Sequence, residues 1–341
     1  MKLPVYSSTI RRKEMDAVLT CMVAEKVGPG EMNVKLAQLV KEVFLMDGSG
    51  VFRSTSVALF YALMALNIEP GSGIIISALA PAWHYQVVKR LGFLPVIADI
   101  DPENSLVTVD SLTQAIQSGG RVILLHETLG FIPEMAPILA LGLPVIEDIS
   151  QSAGASIEGQ MAGQFGVFAI LGLEEHDLLT AGGGALLLAK DRREAIVLKK
   201  LVDEAPMTDI LPDINSALAF IQFREMPKNT LARKEIHTLY VRSIMQSRHK
   251  TIIQSDETLS AVYAFPVVLS SGYKDVKQYV NRKEVEIELA FADSVAAFLG
   301  DELEGCLQAK SLLMRCVLFP LYPRLGTANA VKIAKIMATL P

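Results

Sequence analysis

The chain has 341 residues, of which 51% are hydrophobic and 20% are charged, and its formal net charge is −5 at pH 7. This composition is typical of a globular protein with a large core, and the length favours one large domain and one smaller domain. The acidic balance gives no electrostatic reason to expect a nucleic-acid partner. The most apolar stretches, residues 135–146 and 165–173, contain Gly or Pro and are shorter than a membrane span, so no membrane association is expected.

The N-terminus and the cysteines together indicate a cytoplasmic protein. The chain becomes polar and charged from Arg11 onward, without the apolar core of a secretory signal. Cys21, Cys306 and Cys316 are too few and too widely spaced for a disulfide framework or a metal site. We therefore expect a reducing compartment and no metal.

Short apolar runs alternate with amphipathic stretches along the first part of the chain. Strands are predicted at residues 73–76, 95–98, 122–126 and 144–147, and helices at residues 85–91, 110–117 and 134–141. Apolar runs without polar alternation are typical of strands that are buried on both faces. This βαβ order predicts an α/β fold with a large mixed, mostly parallel sheet and helices on both of its faces.

The pattern changes near residue 206. Long helical patterns follow at residues 214–247, 275–280 and 328–338, with an apolar run at residues 261–269 between them. We therefore predict a large domain in residues 1–204 and a smaller C-terminal α+β domain in residues 205–341.

Two segments carry residues suited to ligand chemistry. Arg53, Ser54, Thr55 and Ser56 precede a helical pattern, and hydroxyl groups with free N–H groups at a helix start form an anion site. The same residues also suit an ordinary helix cap, so both interpretations stay open.

The second segment is residues 144–148, an apolar strand that ends in Glu147 and Asp148. Ligands of open α/β sheets bind beyond the carboxyl ends of the strands, so Asp148 is a candidate cofactor anchor. The alternative is that both acids cap a helix that follows the strand. Neither a Walker nor a Rossmann motif is present, although three glycines at residues 182–184 allow a close backbone approach.

Several segments resemble one family in the same order along the chain. Residues 28–30, 54–66 and 91–102 resemble its Thr-Gly-Pro segment, its Ser-Gly-Thr-Ala-Ala-Leu helix start and its LGAxPVxxDIDP motif. Residues 144–166 keep PVIEDxxQxxGAxxxGxxxGxxG, and residues 319–323 resemble an LPMYP turn. On these motifs, nearly the whole chain resembles the DegT/DnrJ/StrS family of nucleotide-sugar aminotransferases and dehydratases. The resemblance implies the fold-type I architecture of transferases that depend on pyridoxal phosphate (PLP).

The resemblance also implies roles for individual residues. Asp148 would pair with the pyridine nitrogen of PLP, and Gln151 would lie against the ring or its hydroxyl edge. Ser56 would hydrogen-bond the cofactor phosphate, helped by the backbone of Thr55.

Four further residues lie in segments that bear on this site. Pro81 stands where the family has a ring-stacking aromatic residue, and the nearby Trp83 is the candidate replacement. His126, at the end of a predicted strand, is a candidate substrate contact. His84, on an amphipathic stretch, is interpreted as a structural residue.

The chain departs from the family pattern at the catalytic lysine. By counting back from the glycines, His176 stands at the lysine position and Leu171 at that of a phosphate-binding serine, while Gly182 replaces a glutamate. No lysine occurs between Lys89 and Lys190. Imidazole transfers protons but does not supply the amine of a Schiff base, so any PLP, or its amine form pyridoxamine phosphate (PMP), would be bound without a covalent link.

Three functions therefore remain open. The first is a family protein of polysaccharide or deoxysugar biosynthesis that is degenerate for transamination. The second is a PMP-dependent 3-dehydratase that acts on a keto-sugar and uses His176 as acid and base. The third is a non-catalytic protein that binds a sugar nucleotide or a partner. In each case the resemblance implies a homodimer and a nucleotide-linked sugar as ligand.

Overall fold

The computed structural model describes residues 2–252 and 258–341. In that part of the chain the α-helices are α1 (Arg12–Val23), α2 (Glu31–Phe44), α3 (Thr55–Ala65), α4 (Ala82–Arg90), α5 (Val109–Gln117), α6 (Met135–Leu139), α7 (Arg192–Asp203), α8 (Asp213–Ile244), α9 (Tyr273–Arg282), α10 (Val295–Leu299), α11 (Leu307–Arg315) and α12 (Thr327–Met337). Two short 3-10 helices span Thr128–Gly130 and Gly300–Glu302. No described helix combines the length and the apolar character that a membrane crossing requires.

The strands of the same described residues are β1 (Gly48–Phe52), β2 (Gly73–Ser77), β3 (Leu94–Ala98), β4 (Gly120–His126), β5 (Val145–Asp148), β6 (Ser156–Ile157), β7 (Gln160–Met161), β8 (Phe168–Gly172), β9 (Ala185–Ala189), β10 (Lys250–Thr251), β11 (Thr258–Leu259), β12 (Phe265–Val268), β13 (Glu288–Leu289) and β14 (Cys316–Phe319). Seven of them form one sheet in the order β1-β9-β8-β5-β4-β2-β3. The pairs from β8 to β3 are parallel, whereas β9 pairs antiparallel with both β8 and β1. The prediction of a mixed, mostly parallel sheet is confirmed.

The central strands are apolar along their length because helices cover both faces of the sheet. In β2, Ile75 belongs to the apolar cluster that contains Leu112 of α5. Ile74 and Ile76 point to the other face and belong to the cluster that contains Leu59 of α3. All three isoleucines are at most 1% exposed. This is the burial expected of a parallel sheet between two helical layers.

Strands β4 and β5 end side by side at the same edge of the sheet. Their last residues, His126 and Asp148, are partners in the parallel register. Parallel strands bring their carboxyl ends to one edge, where the connecting loops form the ligand sites of open α/β sheets. The fold therefore places these two polar side chains next to each other.

A second, antiparallel sheet follows α8, with the strand order β10-β12-β14-β13. It has its own apolar cluster, which includes Tyr240 of α8, Val280 of α9 and Ile333 of α12. The long helix α8 also packs against α1 and α2, so it joins the N-terminal helices to this second sheet. A small third sheet has the order β11-β6-β7. The predicted domain boundary at residue 204 stays a prediction.

Candidate active site

A cavity of about 400 Å³ opens at the carboxyl edge of the large sheet. The predicted site residues that line it are Thr55, Trp83, His126, Asp148, Gln151 and His176. Ser56, in the first turn of α3, is partly buried and is not among the described residues that line the cavity. The structure thus brings every predicted site residue except Ser56 to one cavity.

Asp148 is fully buried at the end of β5. Its Oδ2 accepts hydrogen bonds from His84 Nε2 at 2.8 Å and from His126 Nδ1 at 2.9 Å. Its Oδ1 accepts from the Ser150 backbone N–H at 3.1 Å and from the Ser150 hydroxyl at 2.5 Å. Burial alone raises the pKa of Asp148, but the charge of His126 and the hydrogen bonds from His126 and His84 outweigh it and hold this pKa well below its usual value. The carboxylate is therefore ionised, and each of its oxygens is bound twice.

His84 belongs to this network, although the sequence analysis treats it as a structural residue. Burial lowers the pKa of His84, and the contact with Asp148 opposes this only in part. A neutral ring that donates from Nε2 has an unprotonated Nδ1, and that atom has no hydrogen-bond partner among the described residues. His84 shares the buried face of α4 with Val87 and Val88, at spacings of three and four residues. That spacing is the signal in the sequence by which its burial could have been found.

His126 is held differently, since it lines the cavity while its Nδ1 contacts Asp148. Its Nε2 is then the ring nitrogen that remains for a proton transfer, as in other carboxylate–histidine pairs. The indole of Trp83 lies edge-to-face on His84, with ring centroids 4.1 Å apart and planes at 70°. The predicted stacking of Trp83 on a cofactor stays a prediction.

Gln151 fixes the turn that follows β4. Its Oε1 accepts a hydrogen bond from the Leu129 N–H at 2.7 Å, and Leu129 has the left-handed φ of 59°. Gly130 follows with φ +83°, and a Cβ at that position would lie 2.7 Å from the backbone oxygen of Gln151. Gln151 thus shapes one wall of the cavity, and its predicted contact with a cofactor ring stays a prediction.

The alternative reading of Glu147 and Asp148 as helix caps is wrong. Residues 150–154 form turns, and within this described segment no helix follows the strand. The carboxylate of Glu147 instead accepts from the N–H groups of Gly163 and Phe165, both at 2.9 Å, and from that of Gly166. Glu147 therefore organises the loop before β8, and Asp148 is the acid that faces the cavity.

His176 lies in the loop of residues 174–177, which forms another wall of the cavity and whose first three residues are exposed. Its imidazole stacks on the ring of Tyr6, with centroids 4.4 Å apart and planes at 10°. Its backbone oxygen accepts a hydrogen bond from the Tyr263 hydroxyl at 3.0 Å. Burial, and then the charge of Glu288, raise the pKa of Tyr6 to about 12, so a neutral phenol packs against the imidazole. No sequence pattern singled out these two tyrosines, which lie far from the loop along the chain.

Asp177 follows His176 and lines the same cavity. Burial raises the pKa of Asp177 to about 8; the hydrogen bond from the Glu174 N–H, at 2.7 Å, lowers it, and the charges of Asp148 and Glu174 raise it further. This carboxyl group is therefore largely protonated at neutral pH. The sequence analysis did not single it out as a site residue.

Carboxyl groups dominate the charge of the cavity. Glu174, Glu288 and Asp293 line it in addition to Asp148 and Asp177, whereas none of the described lining residues is Lys or Arg. The described lining residues therefore offer a phosphate group no Lys or Arg as a cationic partner.

The residues present do not fit PLP in the orientation that the resemblance implies. An ionised carboxylate offers about four lone-pair positions. In Asp148 the donors of His84, His126 and Ser150 use them all, so none is left for a ring nitrogen. The same three side chains, His84, His126 and Asp148, also place possible metal ligands within 4.8 Å of one another. Their direct hydrogen bonds satisfy the carboxylate without an ion.

Comparison with known proteins identifies the family of the chain. The model of the DegT/DnrJ/EryC1/StrS aminotransferase family matches residues 8–338. A dTDP-4-dehydro-2,3,6-trideoxy-D-glucose 4-aminotransferase from Saccharopolyspora spinosa is 23% identical, over 97% of this chain and 94% of its own length.

Solved structures show the same fold. A protein from Streptococcus pneumoniae described as a sugar aminotransferase, in its PLP form, has a TM-score of 0.90 at 16% identity and covers 99% of this chain and 98% of its own. GDP-4-keto-6-deoxymannose-3-dehydratase with bound GDP-perosamine has a TM-score of 0.87 at 15% identity, over 98% of this chain and 100% of its own. These matches confirm the fold-type I prediction. With the family model matching nearly its whole length, the chain belongs to the DegT/DnrJ/EryC1/StrS aminotransferase family.

Proposed function

We propose that this chain binds a nucleotide-linked sugar of deoxysugar or polysaccharide biosynthesis and does not transfer an amino group to it. The observation that carries the proposal is the makeup of the cavity wall. None of the described lining residues is Lys, and His176 is the lining residue at the place where the resemblance implies the lysine. Transamination requires an amine that forms a Schiff base with the cofactor, and an imidazole does not provide one.

The relatives indicate which ligands to test. The Saccharopolyspora spinosa relative is named for a dTDP-linked substrate, and the dehydratase structure holds GDP-perosamine. The cavity, at about 400 Å³, has the volume of a small-molecule site, and Trp83 supplies an apolar ring on which a sugar can pack.

The proposal is tested by calorimetric titration with dTDP-linked and GDP-linked 4-keto-6-deoxy sugars. We expect saturable binding that Trp83→Ala weakens about tenfold. Tyr85→Ala is the matched control, because Tyr85 is on the same helix but contacts Phe298 and is not among the described lining residues. With PLP and glutamate added, mass spectrometry should find no amino sugar. Formation of an amino sugar would refute the absence of transamination, and no binding of any of these sugars would refute the ligand class.

We infer that the chain acts as a homodimer. Exposed apolar side chains on α1 and α2 support this, with Met15 56%, Leu19 54%, Met22 54% and Val34 68% exposed. Met15, Leu19 and Met22 recur at spacings of four and three residues, which places them on one face of α1, and an exposed apolar face is typical of a protein–protein interface. Sedimentation equilibrium should give twice the chain mass, and a monomer at micromolar concentration would refute the inference.

One observation favours a second candidate, a 3-dehydratase-like reaction with PMP. His176 lines the cavity, and an imidazole there can move the protons that loss of a sugar hydroxyl requires. The saturated hydrogen bonds of Asp148 weigh against it. With PMP and a GDP-linked 4-keto-6-deoxy sugar, this candidate predicts that hydrogen replaces the C3 hydroxyl, so that mass spectrometry finds a sugar lighter by one oxygen atom. PMP supplies the two electrons and would be converted to PLP, with its nitrogen released as ammonia, and His176→Gln should abolish the reaction. If no 3-deoxy sugar forms from any keto-sugar tested, the candidate is rejected.

A further inference from the structure

We propose that the chain does not bind PLP or PMP, because two of its own side chains occupy the places where the cofactor would bind. His84 occupies the position at which the resemblance implies the ring nitrogen of PLP, and Asp177 occupies the position at which it implies the phosphate. This inference does not depend on the sugar-binding role proposed above. It concerns the His84 and Asp177 positions, and its test uses no sugar.

The first argument concerns the ring-nitrogen position. His84 is 0% exposed, and its Nε2 lies 2.8 Å from Asp148 Oδ2. An aromatic N–H that donates to this carboxylate is the contact that a protonated pyridine ring would make. His84 therefore supplies from the protein the donor that the cofactor would supply. The ring is held there by Trp83 on one side and by His126, whose ring centroid is 5.7 Å away, on another.

Ser150 supplies the two remaining hydrogen bonds of the Asp148 carboxylate. Its hydroxyl and N–H both donate to Asp148 Oδ1, and its hydroxyl oxygen accepts from the Gly172 N–H at 2.8 Å. Ser150 is thus bonded to both β5 and β8, and it does not release Asp148 without losing these bonds. A cofactor would have to displace hydrogen bonds that the buried carboxylate of Asp148 already accepts, which costs free energy.

The second argument concerns the phosphate position. A Cβ added to Gly172 would lie 2.5 Å from Asp177 Oδ2, 2.9 Å from Ser150 Oγ and 3.1 Å from Thr55 Cγ2. These atoms surround one point, so the Asp177 carboxyl group lies beside the first residue of α3. The N-terminus of a helix attracts an anion because its N–H groups are unpaired and its dipole is positive there. Asp177 places an acidic group of the chain itself at this end of the cavity.

The charges around this position favour the carboxyl group over a phosphate. Glu174 donates its N–H to Asp177 and has its own carboxyl group on the cavity wall. A phosphate carries more negative charge than a carboxyl group, and no described lining residue is a Lys or Arg that would balance it. This position therefore accommodates the Asp177 carboxyl group and offers a phosphate no Lys or Arg side chain to balance its charge.

The experiment is a titration of the purified full chain with PMP, which does not react with surface lysines. Binding is followed by calorimetry and by quenching of Trp83, the only tryptophan in the sequence. We expect no saturable binding by the natural sequence up to about 1 mM PMP. The double variant His84→Ala/Asp177→Ser should bind PMP at least about tenfold more tightly, because it frees Asp148 and removes the acid beside α3.

The matched control is Gln86→Ala/Glu175→Ser, which changes the same helix and the same loop at exposed positions. It should not gain affinity. Saturable binding of PMP by the natural sequence with a Kd below about 1 mM would overturn the proposal, whatever the variants do. A folded double variant without gained affinity would also overturn it. If that variant does not fold, His84→Asn/Asp177→Asn, which retains polar groups of similar size, replaces it with the same expected gain and the same refutation.

Discussion

Two parts of the cavity wall, the Asp148 network and the loop of residues 174–177, differ from the family pattern in opposite ways. Asp148 has the residue type that the motif requires, but His84 and Ser150 use acceptor positions that a cofactor would need. The loop has a different residue type, with His176 at the place of the lysine. The comparison teaches that a motif residue can be retained while neighbouring side chains occupy the atoms with which it would bind the cofactor.

The two parts also differ in their relation to solvent. Asp148 is 0% exposed, and its two oxygens are bound by three residues. In the loop, Glu174, Glu175 and His176 are exposed. A change at Asp148 should therefore affect the folding of the whole chain, whereas most changes in the loop should act locally.

The largest expected effect is that of Asp148→Ala. Removing this carboxylate leaves His84, His126 and Ser150 buried without their common acceptor, so the free energy of unfolding should fall by about 3–5 kcal/mol. Because the native pKa of Asp148 lies below its unfolded value, the stabilisation that it gives is present near neutral pH and is lost as the pH falls into the acid range. Urea unfolding at pH 7 measures the change.

The control for this prediction is Glu175→Ala in the exposed loop, which should change the free energy of unfolding by less than about 0.5 kcal/mol. If Asp148→Ala costs less than about 1 kcal/mol, the network does not couple to the fold as described. The contrast between the two parts of the wall would then be lost.

The next effect in size is a pH dependence due to Asp177. Its native pKa of about 8 is above the ordinary value of 3.8, so the native state binds more protons than the unfolded state between these values. The free energy of unfolding should therefore decrease as the pH rises from about 4 to about 8, by about 2 kcal/mol for this partly exposed group. Asp177→Asn should remove this part of the slope.

Unfolding curves of both proteins at several pH values between 5 and 9, in the same buffer system, measure the difference. The variant should be more stable than the natural sequence at the upper end of this range and similar at the lower end. Equal slopes for the two proteins would mean that the Asp177 carboxyl group is not shielded by the loop.

The elements of the fold could be predicted from the sequence because their signals are local. The apolar run at residues 73–76 and the run at residues 144–147 are both strands of the parallel sheet. The predicted helix at residues 214–247 is α8, Asp213–Ile244. A strand that is buried on both faces and a helix that is buried along one stripe each have a characteristic pattern of apolar residues in the sequence. That pattern predicts the element, with bounds within a few residues.

The partners within the site could not be predicted in the same way. Motif matching selected Asp148 and His126, but not the two further donors, His84 and Ser150, that saturate the carboxylate. Tyr6 and Tyr263 reach His176 from distant parts of the chain. Such contacts depend on how the two sheets and the N-terminal segment pack, and a periodic pattern gives only the face on which a side chain lies.

The smallest predicted effect is a coupling energy between Tyr6 and His176, which tests whether their stacked rings hold the loop of residues 174–177. If the stacked pair of Tyr6 and His176 anchors it, a double-mutant cycle with Tyr6→Leu and His176→Ala should give a coupling energy of about 1 kcal/mol in urea unfolding. Leu keeps an apolar side chain at residue 6 but removes the ring that lies 4.4 Å from the imidazole. The same cycle with Glu175→Ala in place of His176→Ala should give a coupling near zero. A coupling near zero in both cycles would show that the Tyr263 hydrogen bond to the backbone, rather than the imidazole, fixes this wall of the cavity.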